Sequence, residues 1–293
     1  MRKCLLVLLM LAGCARTPPP LVPQPRYEIG QPYQLGGVWS YPREDFGLVE
    51  AGLGVVLAAA AARRTRNGEV FDAGAMVAAH RTLQLPAIIT LTNLENGRSL
   101  ALRVMDRGPE QAGRMIGVSR RAGELLGVVP GGVFQARLEV RGEPSQTLAR
   151  NLPGDRPVIA IAAAPVGRVE REALAAPAGA RQAAPRVVPV RQAALPVAEA
   201  TDATLPPARL PEEFRQGTPA PGRLVLDGGT MFTQALAQRQ AARIGGRAEA
   251  SGPRSRQQEY RLRAGPFSTV AEADAALARA RAAGVGDARI VVE

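Results

Sequence analysis

"IITLTNLENGRSLALRVMDRGP", residues 88–109, is the stretch from which the fold can be read. Ile89 and Leu91 alternate with Thr90 and Thr92; Leu100, Leu102 and Val104 alternate with Ala101 and Arg103. Successive side chains of a strand point to opposite faces, so each run offers one apolar face. Asn96-Gly97 between the runs predicts a tight hairpin, because a type I′ turn needs positive φ at both central positions. The return strand ends at Asp106-Arg107-Gly108-Pro109, which leaves a carboxyl at the rim of whatever the strands enclose. Downstream, "RMIGVSRRAGELLGV" predicts a strand at Arg114–Val118, a helix capped by Ser119 and running to about Leu126, and a stop at Gly127. "FQARLEV" predicts a final strand. Many short strands with little helix predict a compact β barrel over residues 34–140.

Upstream lies "NGEVFDAGAMVAAHRTLQLP", residues 67–86, with Glu69 just after an Asn-Gly turn and His80, the only histidine of the chain. Each candidate group also has an ordinary reading. An Asp before Gly commonly caps a turn, a Glu on a turn is normally solvated, and a lone histidine is often a hydrogen-bonded structural residue. With one His, three or four N/S ligands for zinc are lacking, so no metal or other cofactor is expected. No Ser has the G-x-S-x-G context of a nucleophile elbow.

Composition bounds the partners. The 293 residues allow two or three small domains, and the formal net charge is +11 with Lys3 the sole lysine. No run of five or six like charges occurs, which argues against a nucleic-acid tail and leaves a mild attraction to an anionic polymer such as cell wall. "MRKCLLVLLMLAGCARTPPP" has two cations, an apolar run from Leu5 to Leu11 too short to span a bilayer, then small residues: the pattern of a secretory signal. Leu11-Ala12-Gly13-Cys14 resembles a bacterial lipobox, which implies removal of the leader and acylation of Cys14. Cys4 would leave with the leader, so no intramolecular disulfide is expected. The reading is a signal at 1–14, a proline-rich tether at 15–33, the barrel at 34–140 and an Ala/Pro-rich disordered linker at 141–220, with a marginal helix at 166–176.

From residue 221 to 293 the chain is globular again and internally duplicated. "RLVLDGGTMFTQALAQRQAARIGGRAEA" reads strand, helix, glycine stop, strand, and "EYRLRAGPFSTVAEADAALARARAAGVGDARIVV" repeats that order. Thr269 and Glu272 form a capping box. Val270, Ala273, Leu277 and Ala280 share one stripe, and Gly284 supplies the stop. Two such units predict a four-stranded sheet with two helices on one face. An RNA-binding sheet would have that outline too, but it needs stacking aromatics, and only Tyr260 and Phe267 lie near the second unit's first strand.

"NGEVFD", "AAHRTLQLP", "TNLENGRSLALRVMDRGP" and the "GR-I--S" and "A-ELLG" patterns, in this order, resemble the rare lipoprotein A family, septal-ring lytic transglycosylases of peptidoglycan. The resemblance implies a six-stranded double-psi β-barrel. The C-terminal duplication with "YRLRAGPF" resembles the sporulation-related (SPOR) peptidoglycan-binding domain, a ferredoxin-like βαββαβ fold. The barrel's family resemblance implies Glu69, His80 and Asp106 as the catalytic set and possible divisome partners, and the C-terminal domain implies glycan strands lacking stem peptides as the substrate. The family resemblance also implies a lipid-anchored protein facing the periplasm, in the outer membrane by preference and enriched at the septum. The chemistry would be cleavage without water. A carboxylic acid protonates the glycosidic oxygen, and the same group then takes the proton of the sugar's C6 hydroxyl as a 1,6-anhydro ring closes. Asp106 is the expected acid/base group, with Glu69 the alternative. Two positions depart from the family: Gly54-Val55-Val56 stands where members carry an aromatic pair followed by Gly, and Gly117 where they usually carry Asp. These departures keep a second reading open, a non-catalytic wall-binding protein that uses the barrel as a scaffold.

Overall fold

The computed structural model describes residues 21–58, 62–154, 209–251 and 258–293. The leader with Cys14 and the helix expected at 166–176 lie outside the described residues. A short hairpin, β1 (Tyr33–Leu35) and β2 (Val38–Ser40), precedes the barrel. The barrel strands are β3 (Val49–Val56), β4 (Val77–His80), β5 (Ala87–Asn93), β6 (Arg98–Asp106), β7 (Arg114–Val118) and β8 (Val133–Val140). They pair in the order β3-β7-β4-β6-β5-β8, and β8 returns to β3 from Val49↔Glu139 to Val55↔Val133, closing six strands into a barrel. β3–β7 and β4–β6 are parallel; the other neighbours are antiparallel. The alternation seen in the sequence decides the filling: Ile89, Leu91, Leu100, Leu102, Val104, Ile116, Val118 and Leu138 are buried in one cluster. At about 25 cal/mol per Å² of apolar surface removed from water, this cluster is the main force closing the barrel.

Helix α1 (Arg120–Leu126) plugs one side and has the expected ends: Ala122 N donates to Ser119 Oγ at 3.2 Å, and Gly127 is left-handed at φ 75°. The β5–β6 hairpin forms, but its loop is longer than a two-residue turn. Gly97 N donates to Asn93 O at 2.8 Å, and Glu95 N donates to Asn93 Oδ1 at 2.9 Å. Asn93 thus begins the reversal by bonding its own following backbone, a common Asn role in loops.

Two elements fall within the range expected to be linker. Helix α2 (Gly142–Asn151) docks through Ser145, whose Oγ accepts from Ile88 N at 2.9 Å and has Arg141 O at 2.7 Å and Ile88 O at 3.1 Å as acceptors for its one hydrogen. Its sequence is too polar to announce itself, because the hydrogen bonding of Ser145 and one buried Ala149 hold it rather than an apolar stripe. Strand β9 (Phe214–Gln216) pairs with Arg98–Leu100 of β6, with the Arg98 guanidinium 4.8 Å from the Phe214 ring centre.

The C-terminal domain runs β10 (Leu224–Met231), α3 (Gln234–Arg243), β11 (Arg247–Ser251), β12 (Glu259–Phe267), α4 (Val270–Ala282) and β13 (Arg289–Val292). Its sheet order, β11-β12-β10-β13, is that of a ferredoxin-like βαββαβ domain. Helix α4 starts as expected, Glu272 N donating to Thr269 Oγ1 at 3.1 Å, while the Glu272 carboxylate reaches back to Ser268 N at 2.9 Å. Barrel and C-terminal domain belong to one compact unit. Val291 bridges Gly52, Arg114 of β7 grips Asp274 of α4 with bonds of 2.7 and 2.8 Å, and Gly222 and Gln135 exchange two hydrogen bonds. Gly113, with φ 74°, lets the chains meet closely: a Cβ there would lie 2.8 Å from Leu277 and 2.9 Å from Ile290.

Candidate active site

The position of Asp106 is set by an irregularity in β6. Val77 pairs with Arg103 and Ala78 with Val104, but Ala79 pairs with Asp106, so Met105 is an extra residue. Such a bulge re-aims the side chain that follows it, and here it delivers Asp106 to the loop at 63–69. The carboxylate is only 5% exposed. Its Oδ1 accepts from the amides of Arg66 (3.0 Å) and Arg107 (2.9 Å). Its Oδ2 lies 2.5 Å from Arg63 NH1, an ion pair not aligned as a hydrogen bond. Oδ1 is therefore committed to the backbone, while Oδ2 is buried with an ion pair and no hydrogen bond. The Arg63 side chain is 47% exposed, and its guanidinium also lies 5.4 Å from the Phe71 ring centre.

Arg107 locks the same turn from the other side. Its guanidinium donates to the carbonyls of Leu83 and Ile29. Burial pushes its pKa below the usual arginine value, against the opposing pull of Tyr33 and Glu28. A charged group spent on two carbonyls is costly to desolvate, and what it secures is the path of the chain around Asp106.

Glu69 occupies the same loop, 1% exposed. It accepts from Asn67 Nδ2 at 2.7 Å, from Arg103 NH2 at 2.7 Å, and from Arg103 Nε at 3.0 and 3.1 Å. A cavity of about 220 Å³ lies beside it, lined by Val77, Arg103, Met105 and the returning segment at Arg209, Leu210 and Glu212. Both oxygens of the Glu69 carboxylate accept hydrogen bonds, Oε1 from Asn67 and Arg103 and Oε2 from Arg103 Nε alone.

His80 faces elsewhere. Its Nδ1 accepts from Thr82 N (3.2 Å) and Leu83 N (3.1 Å). A ring nitrogen that accepts amide hydrogens carries none, so the hydrogen bonding assigns the ring hydrogen to Nε2. Nε2 lies 3.8 Å from Glu50 Oε2. Burial raises the pKa of Glu50, but His80, then Arg289 and Arg43, lower it more, and the net value is below that of an ordinary glutamate.

The structure thus brings Asp106 and Glu69 to one loop and sets His80 in a second polar group with Glu50. Among the described residues no hydrogen bond or ion pair joins any two of Glu69, His80 and Asp106. Sequence reading missed Arg103, which sits at an ordinary outward position of an alternating strand, and Glu50, which stands in no motif.

Gly54 and Gly117 are closely packed. A Cβ at Gly54 would lie 2.6 Å from the Phe134 ring, and one at Gly117 would lie 2.6 Å from Leu57 Cδ2. Phe134 of β8 and Leu57 just after β3 fill the space that a side chain at these two glycines would need. Val55 and Val56 are buried, so this part of β3 offers no face to a ligand. Among the described residues the exposed aromatics include Trp39 (57%) and Tyr41 (60%), on and after β2, and Phe214 and Phe232 farther along the chain.

Comparison with known sequences agrees with this architecture. The family model described as lytic transglycolase matches residues 56–138, and the SPOR domain model matches 222–290. The Endolytic peptidoglycan transglycosylase RlpA of Pseudomonas aeruginosa is 34% identical in one strain and 33% in another, over 234 residues covering 78% of this chain. The matched region spans 66% and 65% of those proteins' own lengths, just under two thirds. The protein of the same name from Vibrio cholerae is 46% identical over 76 residues, 26% of this chain and 29% of its own. Closed six-stranded barrel, ferredoxin-like C-terminal domain and these matches together show that the chain belongs to the rare lipoprotein A family.

Proposed function

We propose that this chain is a lytic transglycosylase that cleaves the glycan strands of peptidoglycan, leaving 1,6-anhydro ends, with Asp106 as the general acid and base. The observation that carries the reading is Asp106 itself: a nearly buried carboxylate re-aimed by a bulge, with Oδ1 fixed by two amides and Oδ2 ion-paired to a half-exposed arginine. Oδ2 gives a proton to the glycosidic oxygen as positive charge develops at C1, then receives the proton of the C6 hydroxyl that closes the ring. Glu69, through Arg103 and Asn67, steadies the loop that donates to Asp106. His80, with its hydrogen on Nε2, acts as a donor toward a sugar oxygen and not as a base. Trp39 and Tyr41 supply the aromatic faces on which sugar rings stack.

The C-terminal domain carries the enzyme to strands stripped of stem peptides. Cys14 holds the acyl chains that tie the protein to the envelope membrane, in the outer membrane facing the periplasm, and divisome proteins are its neighbours at the septum. The test is mass spectrometry of peptide-free glycan strands incubated with the protein. Anhydro-terminated products that disappear with Asp106→Asn support the assignment; products that persist in that variant reject it. A second reading, a wall-binding scaffold, draws on the buried Val55 and Val56 where a sugar-facing aromatic pair is the family pattern. It is the outcome if the wild-type protein binds strands and releases nothing.

A further inference from the structure

Arg289 is the first residue of β13, in the C-terminal domain, yet its guanidinium bridges two carboxylates in different domains. NH1 donates to Glu50 Oε1 of the barrel at 3.1 Å, and NH2 donates to Asp227 Oδ2 of β10 at 3.4 Å. The other oxygen of Glu50 faces His80 Nε2 at 3.8 Å, a distance too long for a direct hydrogen bond and short enough for the charge to act. Exposure is graded along this row: the His80 side chain is 3% exposed, Glu50 22% and Arg289 57%. The buried ring is therefore reached from solvent through a carboxylate that a cation of the other domain holds. The docking is not left to this cation alone, since Gly52–Val291 pairs β3 with β13, and Arg114–Asp274 and Gln135–Gly222 join the two domains elsewhere.

We propose that Glu50 is a positioning residue for His80 and that Arg289 sets Glu50, so that the C-terminal domain completes the barrel site and is more than an address for it. This deepens the transglycosylase reading and rests on it. Glu50 touches no reacting atom. Its charge orients the Nε2–H of a ring whose other nitrogen is already pinned by two amides, and Arg289 keeps that carboxylate from turning to solvent. The charged and titratable groups around Glu50 are His80 from β4, Arg289 from β13 and Arg43 from the segment before β3.

The experiment uses the full chain and four proteins: wild type, Glu50→Gln, Arg289→Ala and Arg289→Lys. His80 is the only histidine, so its ring ¹⁵N resonances are identified without assignment. The wild type should show the hydrogen on Nε2, and that signal should move in Glu50→Gln and in Arg289→Ala and return toward wild type in Arg289→Lys. On peptide-free glycan strands kcat should fall about tenfold or more in Glu50→Gln, the scale of a misplaced catalytic group. It should fall about fivefold in Arg289→Ala, the most that a partly exposed ion pair supports, with KM nearly constant and partial recovery in Arg289→Lys. An unmoved ring signal, or kcat unchanged with only KM or thermal stability altered, overturns the proposal. If the wild type yields no product, the functional reading fails instead, and the ring signals still decide whether the Arg289–Glu50–His80 row exists.

Discussion

Arg103–Glu69 and Arg289–Glu50 are both arginine–glutamate contacts beside the candidate site, and they are built on opposite principles. The first is sealed: its side chains are 5% and 1% exposed, and the arginine meets both oxygens. The second is open, with side chains 57% and 22% exposed and a single 3.1 Å bond. A buried pair is bound to the fold, because removing one partner strands the other charge away from water. An open pair is screened and cheap to break. Glu69 is therefore sealed into the interior beside its loop, while Glu50 lies where solvent reaches it.

That contrast can be broken at several points. Arg103→Ala leaves Glu69 buried and unpaired and should cost about 3–5 kcal/mol in denaturant unfolding; a loss below about 1 kcal/mol would mean that the pair is hydrated after all. Gly54→Val pushes a Cβ into the Phe134 ring and should cost about 1–3 kcal/mol by overpacking, with Phe134→Leu in the same chain recovering part of it. Glu50 yields a pH effect. Its pKa is depressed in the folded chain, so its contribution to stability is complete above the ordinary glutamate value of 4.5 and is lost as pH falls through the lower, folded value. The acid limb of a stability–pH curve should accordingly be shallower in Glu50→Gln than in the wild type. Arg120→Ala, which removes an exposed i,i+4 pair with Glu124, should change stability by no more than about 0.5 kcal/mol.

The sequence announced what depends on local periodicity. Strands β5 and β6 alternate cleanly, Ser119 and Gly127 bracket α1, and Thr269 caps α4, so the barrel and the βαββαβ domain were legible. The hairpin loop was misjudged because Asn93, four residues before Gly97, bonds the backbone that follows it. Helix α2 was hidden because a serine, not an apolar stripe, docks it. Within the site, Glu69, His80 and Asp106 could be named from motifs, but their division into two polar groups could not. That division follows the one-residue bulge at Met105 and the Thr82 and Leu83 amides that hold His80, while the neighbour of Glu50 on the other side, Arg289, is 239 residues away in sequence. Long-range contacts between charged residues leave no period to read.

The central claim is that Asp106 Oδ2 exchanges the proton that cuts the glycan. The most direct measurement is the rate of anhydro-muropeptide release from peptide-free strands by wild type and Asp106→Asn, with folding of the variant checked by its circular dichroism. A general acid/base group contributes about 10²–10⁴-fold, so a folded Asp106→Asn should lose at least a hundredfold in kcat. A folded variant that retains most of the wild-type rate would contradict the account.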